Sequence, residues 1–239
     1  MSAGFPLVLC YHGASAEWES GLSLAPEAIE QQVRTLVARG YRGVAAGEVL
    51  QRRGRLLHVT FDDAYRSVTG VLDELERLAV PCTVFACSSL ASNGAPVDIP
   101  ELAGELDAYP AALRTLDWDG LAALAGRGVE IGSHSRTHAH LTRLSDAELA
   151  DELHDSRTAI EDRLARPCRY LAYPFGEHDA RVRAAAAAAG YEAAYALPGR
   201  GAPLDRFALP RVGLYRRDTP LRVRLKTSAP GRALAGLRR

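Results

Sequence analysis

Apolar positions along the chain change period repeatedly, from short continuous runs of strand length to the i, i+3, i+4 spacing of a helix. Pro6 to Tyr11 is such a run, and in PEAIEQQVRTLVARG the residues Ile29, Val33, Leu36 and Val37 share one helical face until Gly40 stops it. Leu56 to Phe61 predicts a strand, a helix follows through Val71, Leu72, Leu75 and Leu78, and CTVFAC after Pro81 predicts another strand. Asn93 to Pro110, rich in Gly, Pro and Ala, reads as an inserted loop, with WDGLAALAGRG as a helix and VEIGSH as a strand end beyond it. Ser145, with Glu148 three residues on, forms a capping box for a helix reaching about Leu164. Cys168 to Tyr173, the alanine-rich DARVRAAAAAAG and the runs YEAAYAL and RFALPRVGL complete the alternation.

About seven β/α units follow one another with no repeat, long linker or break in composition, which predicts a single domain over residues 1–239. The expected fold is α/β, a distorted TIM-like (β/α) barrel of seven or eight units, complete or short of a strand, with reactive groups at the strand C-terminal ends. A doubly wound open sheet is the structural alternative, but no GxGxxG or P-loop stretch supports nucleotide binding.

Composition narrows the classes. With 239 residues, 47% hydrophobic and 24% charged, the chain can bury a substantial core. Lys plus Arg and Asp plus Glu number 29 each, so no global field draws nucleic acid or an anionic membrane. The basic stretch from Arg216 to Arg239 reads as a solvated tail or helix face. The apolar run from Phe5 to Tyr11 is too short for a signal-peptide core or a membrane span, so a cytoplasmic protein is expected. Cys10, Cys82, Cys87 and Cys168 lack CxxC spacing and are expected to be reduced core thiols.

The polar residues fall at strand ends. Asp62 and Asp63 follow LLHVTF, His134 follows VEIGS, and Tyr173, Pro174 and Phe175 follow CRYLA, so parallel strands would gather them at one mouth. His134 and His138 in HSRTH stand four apart, which on a helical turn puts two imidazoles on one face, able to share a metal. His140 would point away from that face. A carboxylate from another strand end completes a His, His, Asp set with an open position, the type that suits a catalytic divalent ion. Two unpaired aspartates in a cleft would repel, whereas a cation on one leaves the other as a base. Helix capping is the plainer reading of an isolated Asp-Asp pair, and HSRTH weighs against it.

Together TFDD (Thr60 to Asp63), GSHSRTH (Gly132 to His138) and AYPFG (Ala172 to Gly176) resemble the three leading motifs of the polysaccharide deacetylases, the NodB homology domain of carbohydrate esterase family four. The resemblance spans about Pro6 to Gly213 and implies metal-dependent N-deacetylation of an amino sugar. It makes Asp62 the general base and Asp63, His134 and His138 the ligands of one divalent ion, with Zn²⁺ expected and Co²⁺, Ni²⁺ or Mn²⁺ as alternatives. It places Tyr173, Pro174 and Phe175 at the substrate, with a backbone N–H at Phe175 facing the oxyanion.

Two departures stand out. The family's usual Leu-x-His acid has no counterpart, because no histidine follows His178. LVLCYHG resembles the Tyr-His of circularly permuted members, which nominates His12 as the acid, with Tyr11 as core. The usual arginine of the third motif is replaced by Ala172, and Arg211 in LPRVG is the candidate to orient Asp62 instead. The later Asp-Trp motif is missing too, since Asp117 and Trp118 lie too early and read as a helix start.

A metal-dependent N-deacetylase of a glycan, glycolipid or small glycoside is therefore the leading expectation. A deformylase or other amide hydrolase acting on an intracellular small molecule is the alternative. A non-catalytic carbohydrate-binding relative is disfavoured by the intact Asp62, Asp63, His134 and His138.

Overall fold

The computed structural model describes residues 5–197, 205–228 and 230–232. Among the described residues the strands are β1 (Leu7–Tyr11), β2 (Gly13–Ala14), β3 (Ser23–Leu24), β4 (Arg42–Gly43), β5 (Leu56–Phe61), β6 (Cys82–Ala86), β7 (Glu130–Ser133), β8 (Tyr170–Ala172), β9 (Ala193–Ala196), β10 (Leu209–Pro210) and β11 (Val212–Gly213). The helices are α1 (Pro26–Ala38), α2 (Leu72–Arg77), α3 (Ala103–Ala108), α4 (Trp118–Gly126), α5 (Asp146–Leu164), α6 (Ala180–Ala188) and α7 (Pro220–Thr227). None is long and apolar enough to cross a membrane among the described residues.

All pairings in the main sheet are parallel, in the order β10-β9-β8-β7-β6-β5-β1-β11, and β4 joins the start of β5. Its two outermost strands are halves of one chain segment: β10 pairs with β9 and β11 with β1, and only Arg211 lies between them. That segment runs from one sheet edge to the other, so the parallel sheet is nearly closed into a barrel.

Strand periodicity divides the interior into two cores. Leu7, Leu9 and Tyr11 on β1, with Leu57, Val59 and Phe61 on β5, pack outward into the shell beneath the helices. Val8, Phe85, Tyr170, Tyr195 and Leu209 fill the inside of the barrel, and Val44, Ala46 and Val49 pack against them. The alternation carries Cys10, Thr60, Asp62 and Arg211 toward that inner space. Gly132 on β7 is needed there, because a Cβ would lie 2.5 Å from the Phe85 ring.

Helix signals are realised chemically. Ser145 Oγ accepts from Glu148 N and Glu148 Oε2 from Ser145 N, the reciprocal capping box that starts α5. Asp117 caps α4 through Gly120 N. Asp62 and Asp63 cap no helix: the 3-10 turn after them begins at Tyr65 without a side-chain cap.

The insertion at 93–110 differs from the loop its composition suggests. It contains a 3-10 turn at Pro100–Leu102 and α3, and Val97 and Leu102 join the shell core. Glu105 on α3 accepts from Trp18 Nε1 at 2.8 Å and from Ser20 Oγ at 3.0 Å, while the buried Trp18 ring meets Tyr65 edge-on at 5.0 Å. The bonds to Glu105 join residues more than eighty apart in sequence, and no local periodicity reveals them.

Candidate active site

Asp62 and Asp63 follow β5 directly, and the backbone separates them. Asp62 N bonds to Tyr11 O at 2.9 Å, continuing the ladder with β1. Asp63 then adopts φ 65° and Ala64 φ 52°, left-handed values that aspartate tolerates better than most residues. The two carboxylates consequently enter different pockets.

Asp62 meets Arg211. Arg211 Nη1 donates to Asp62 Oδ1 at 2.6 Å and Nη2 to Oδ2 at 2.8 Å, and Nη1 also reaches Thr60 Oγ1 at 3.1 Å. The fork is bidentate and buried. Cys10 Sγ donates to Asp62 Oδ2 at 3.4 Å. Burial alone would raise the Asp62 pKa, but the charge and hydrogen bonds of Arg211, together with His134 and His12, outweigh it and bring the carboxyl down to about 2. Burial pushes the Cys10 thiol well up, so it stays neutral. Arg211 therefore lies inside the barrel rather than on the surface.

Asp63 meets imidazoles. Its Oδ1 stands 3.2 Å from His138 Nε2 and 3.5 Å from His134 Nε2, and it has no hydrogen-bond partner of its own. His134 Nδ1 lies 2.8 Å from Ala172 O, and since a carbonyl only accepts, Nδ1 carries the proton and Nε2 offers a lone pair. Burial lowers the His134 pKa to about 4. For His138 burial acts the same way, but Asp63 outweighs it and the pKa is raised. Burial opposes ionisation of Asp63 too, yet the two histidines hold its pKa well below the usual range.

HSRTH is not the helical turn its spacing suggests. Ser135 has φ 66° and His138 φ 64°, so the segment is an irregular loop. Glu152 on α5 shapes it: Oε2 accepts from the backbone N–H of Arg136 and Thr137 at 3.0 Å each, and Oε1 from Thr137 Oγ1 at 2.7 Å. Ser135 Oγ accepts from His138 N at 3.1 Å, and Ser156 Oγ donates to Ser135 O at 2.9 Å. The loop thereby brings both Nε2 atoms to Asp63. His140 is turned elsewhere, between Glu177 at 3.0 Å and Glu101 at 3.1 Å, with its ring flat on Phe175.

The residues fit a metal ion. Asp63, His134 and His138 each offer one ligand atom, all within 4.8 Å of one another. Ligand bonds of about 2.0–2.1 Å in a tetrahedral site give ligand-to-ligand edges of roughly 3.3 Å, close to the 3.2 and 3.5 Å found. Cys10, His12 and Asp62 form a second group within the same limit. That group fits poorly, because Arg211 already neutralises Asp62 and the thiol is protonated.

The remaining candidates are placed as follows. His12, half-buried, continues β1 beside Asp62 and stacks on Tyr215 at 6.4 Å, and its Nδ1 has no partner. Phe175 has φ 58° and sets its ring edge-on to His138 at 4.7 Å. Tyr173 is fully buried and its hydroxyl donates to Phe207 O at 2.8 Å, so its side chain offers no surface to a substrate. Pro174 is buried as well. Sequence reasoning passed over Cys10, Glu152 and Tyr65. Tyr65 lies in the same segment as the aspartates, and its buried hydroxyl has no partner. The signal for Cys10 was its place two residues before His12 on the same strand face.

A parallel barrel with an Asp-His-His cluster and an arginine-paired carboxylate at the strand C-terminal ends has the architecture of a barrel hydrolase. The chain belongs to the polysaccharide deacetylase family, whose model matches residues 50–194. Members of this family of carbohydrate esterases use a divalent metal. Among solved structures, IcaB from Ammonifex degensii is similar at 20% identity and TM-score 0.75, over 98% of this chain and 97% of that one. The deacetylase PplD of Streptococcus pyogenes, in complex with acetate, matches at 18% identity and TM-score 0.75, over 95% of this chain and 100% of its own. A polysaccharide deacetylase from Bacillus cereus matches at 20% identity and TM-score 0.75, over 95% and 70%.

Proposed function

We propose that the protein is a metal-dependent N-deacetylase that hydrolyses the acetamide of an N-acetylated amino sugar in a glycan, glycolipid or small glycoside. The observation that carries this reading is the division of labour at one mouth. Asp63, His134 and His138 gather three ligand atoms within 4.8 Å of one another, while the neighbouring Asp62 is held apart from that set by Arg211. The acetate in the PplD structure accords with an acetyl substrate.

A divalent ion held by Asp63, His134 and His138, with zinc the first choice, would supply Lewis acidity, polarising the amide carbonyl and acidifying water. Asp62 accepts the proton of the attacking water. Its low pKa makes it a modest base, and its value lies in being always ionised and held fixed. Arg211 does the holding, in place of the arginine replaced by Ala172. His12, near the same carboxylate, donates to the departing amine. Phe175, next to His138, contributes its backbone N–H to the oxyanion.

Purified protein should release acetate from one class among chitooligosaccharides, nucleotide sugars, glycolipids and small pseudo-oligosaccharides, and chelation should abolish the release. Release of another acyl group, such as formate, would move the assignment to a different amide hydrolase. Turnover that survives exhaustive chelation would remove the metal from the proposal.

A further inference from the structure

The largest exposed apolar side chains among the described residues are Leu221 and Leu225, 66% and 57% exposed, and both belong to α7. They stand four apart, so they share one helix face. At about 100° per residue, Arg222 and Arg224 lie roughly 80° to either side of the line between the two leucines. Both arginines are exposed. The opposite face holds α7 to the barrel: Val223 packs against the shell core, Thr227 is buried, and Lys226 Nζ donates to Gly213 O at 3.0 Å.

Charge follows the same division. Residues 216–239 carry eight Lys and Arg and one acid, Asp218, which leaves the first 215 residues with 21 basic and 28 acidic residues. Asp218 is engaged with Lys226, and among the described residues no ion pair holds Arg217, Arg222 or Arg224. A neutral chain thus concentrates positive charge on the segment that also exposes its apolar pair.

We propose that α7 docks the protein onto an anionic lipid bilayer. Two leucines flanked symmetrically by long cationic stems match an interfacial helix, in which apolar side chains enter the acyl boundary and the arginine heads stay at the phosphates. A two-leucine patch is small for a stable protein interface, which buries about 800 Å² per partner. A bilayer needs no complementary shape and gains from each nearby cation. The helix begins at Pro220, capped by Thr219 a few residues after β11, so docking sets its first turn beside the mouth end of the barrel.

The full chain should co-sediment with phosphatidylcholine vesicles containing about a third phosphatidylglycerol at low salt and not with pure phosphatidylcholine, and high salt should release it. The surface variant Leu221→Ser with Leu225→Ser should weaken binding by about tenfold or more. Arg222→Glu with Arg224→Glu should weaken it by about a hundredfold. Both should keep the parent's melting temperature. Absence of binding to the anionic vesicles would overturn the proposal. So would binding that the leucine variant leaves unchanged, which marks a general polyanion site. Dissociation of a dimer by the leucine variant would also overturn it, because the face would then join two copies.

Discussion

Asp62 and Asp63 are consecutive residues, 2% and 3% exposed, yet their carboxylates meet different surroundings. Asp62 has its cation built into the chain: Arg211 arrives from the segment that joins the two sheet edges, next to β1, and grips both oxygens. Asp63 has no cationic side chain, only two imidazole nitrogens, one of which is fixed as a lone-pair donor by Ala172 O. A buried carboxylate is tolerable only when compensated. The chain compensates one internally and leaves the other to a proton or a bound cation. On the proposed function, the same residue type at two consecutive positions serves as a held base in one case and as a ligand in the other.

The sharpest way to break this comparison is to neutralise each carboxylate in turn. Asp63→Asn should lose bound metal after dialysis and lose activity by about a thousandfold or more, whereas Asp62→Asn should keep a full complement of metal while losing about 10²–10⁴ in rate. Metal content by mass spectrometry and acetate release give both readings. If Asp62→Asn also lost the ion, the two carboxylates would share it and the division would collapse.

Arg211 supplies the next test. Arg211→Met leaves Asp62 charged and unpaired in the barrel, which should cost about 3–5 kcal/mol in denaturant unfolding. Adding Asp62→Asn to that variant should recover part of the loss, because the stranded charge is then gone. Metal content should stay unchanged in both. An Arg211→Met protein with the parent's unfolding midpoint would show that the pair does not hold Asp62.

Much of this was legible in the chain, and what was not has a physical pattern. β5 runs from Leu56 to Phe61 as the apolar run predicts, and Asp62 and Asp63 sit at its end because strand period and turn chemistry are local properties. The expected helical turn at HSRTH failed for a non-local reason: Glu152, more than a dozen residues away, bonds the loop backbone directly and supports the left-handed residues. Likewise the insertion at 93–110 gains its helix through Glu105, which Trp18 and Ser20 engage from more than eighty residues earlier in the sequence. Cys10 read as a plain core thiol from its neighbours in sequence, while its neighbours in space are Asp62 and Arg211.

His58, on the same strand and face as Asp62, shows a third way to bury a titratable group, and its expected effect is the smallest. Val44 O lies 2.9 Å from Nδ1 and can only accept, so Nδ1 carries the proton, and Nε2 accepts from Thr83 Oγ1 at 2.9 Å. Both nitrogens are therefore satisfied in the neutral ring, and burial lowers the pKa to about 4. The folded state binds its proton less readily than the unfolded chain, whose histidine titrates near 6.5. The resulting stability is fully present above about 6.5, falls as the unfolded state takes up the proton, and is gone near the folded value. Between pH 7 and pH 5 this single group should remove about 2 kcal/mol. Unfolding free energies of the parent and of His58→Gln at those two pH values isolate the effect, because the other groups cancel in the difference. The variant should be less stable at pH 7 yet lose about 2 kcal/mol less on acidification. Equal losses in the two proteins would mean that His58 is charged inside the barrel, and its neutral, self-satisfied state would no longer stand as the contrast to the two aspartates above it.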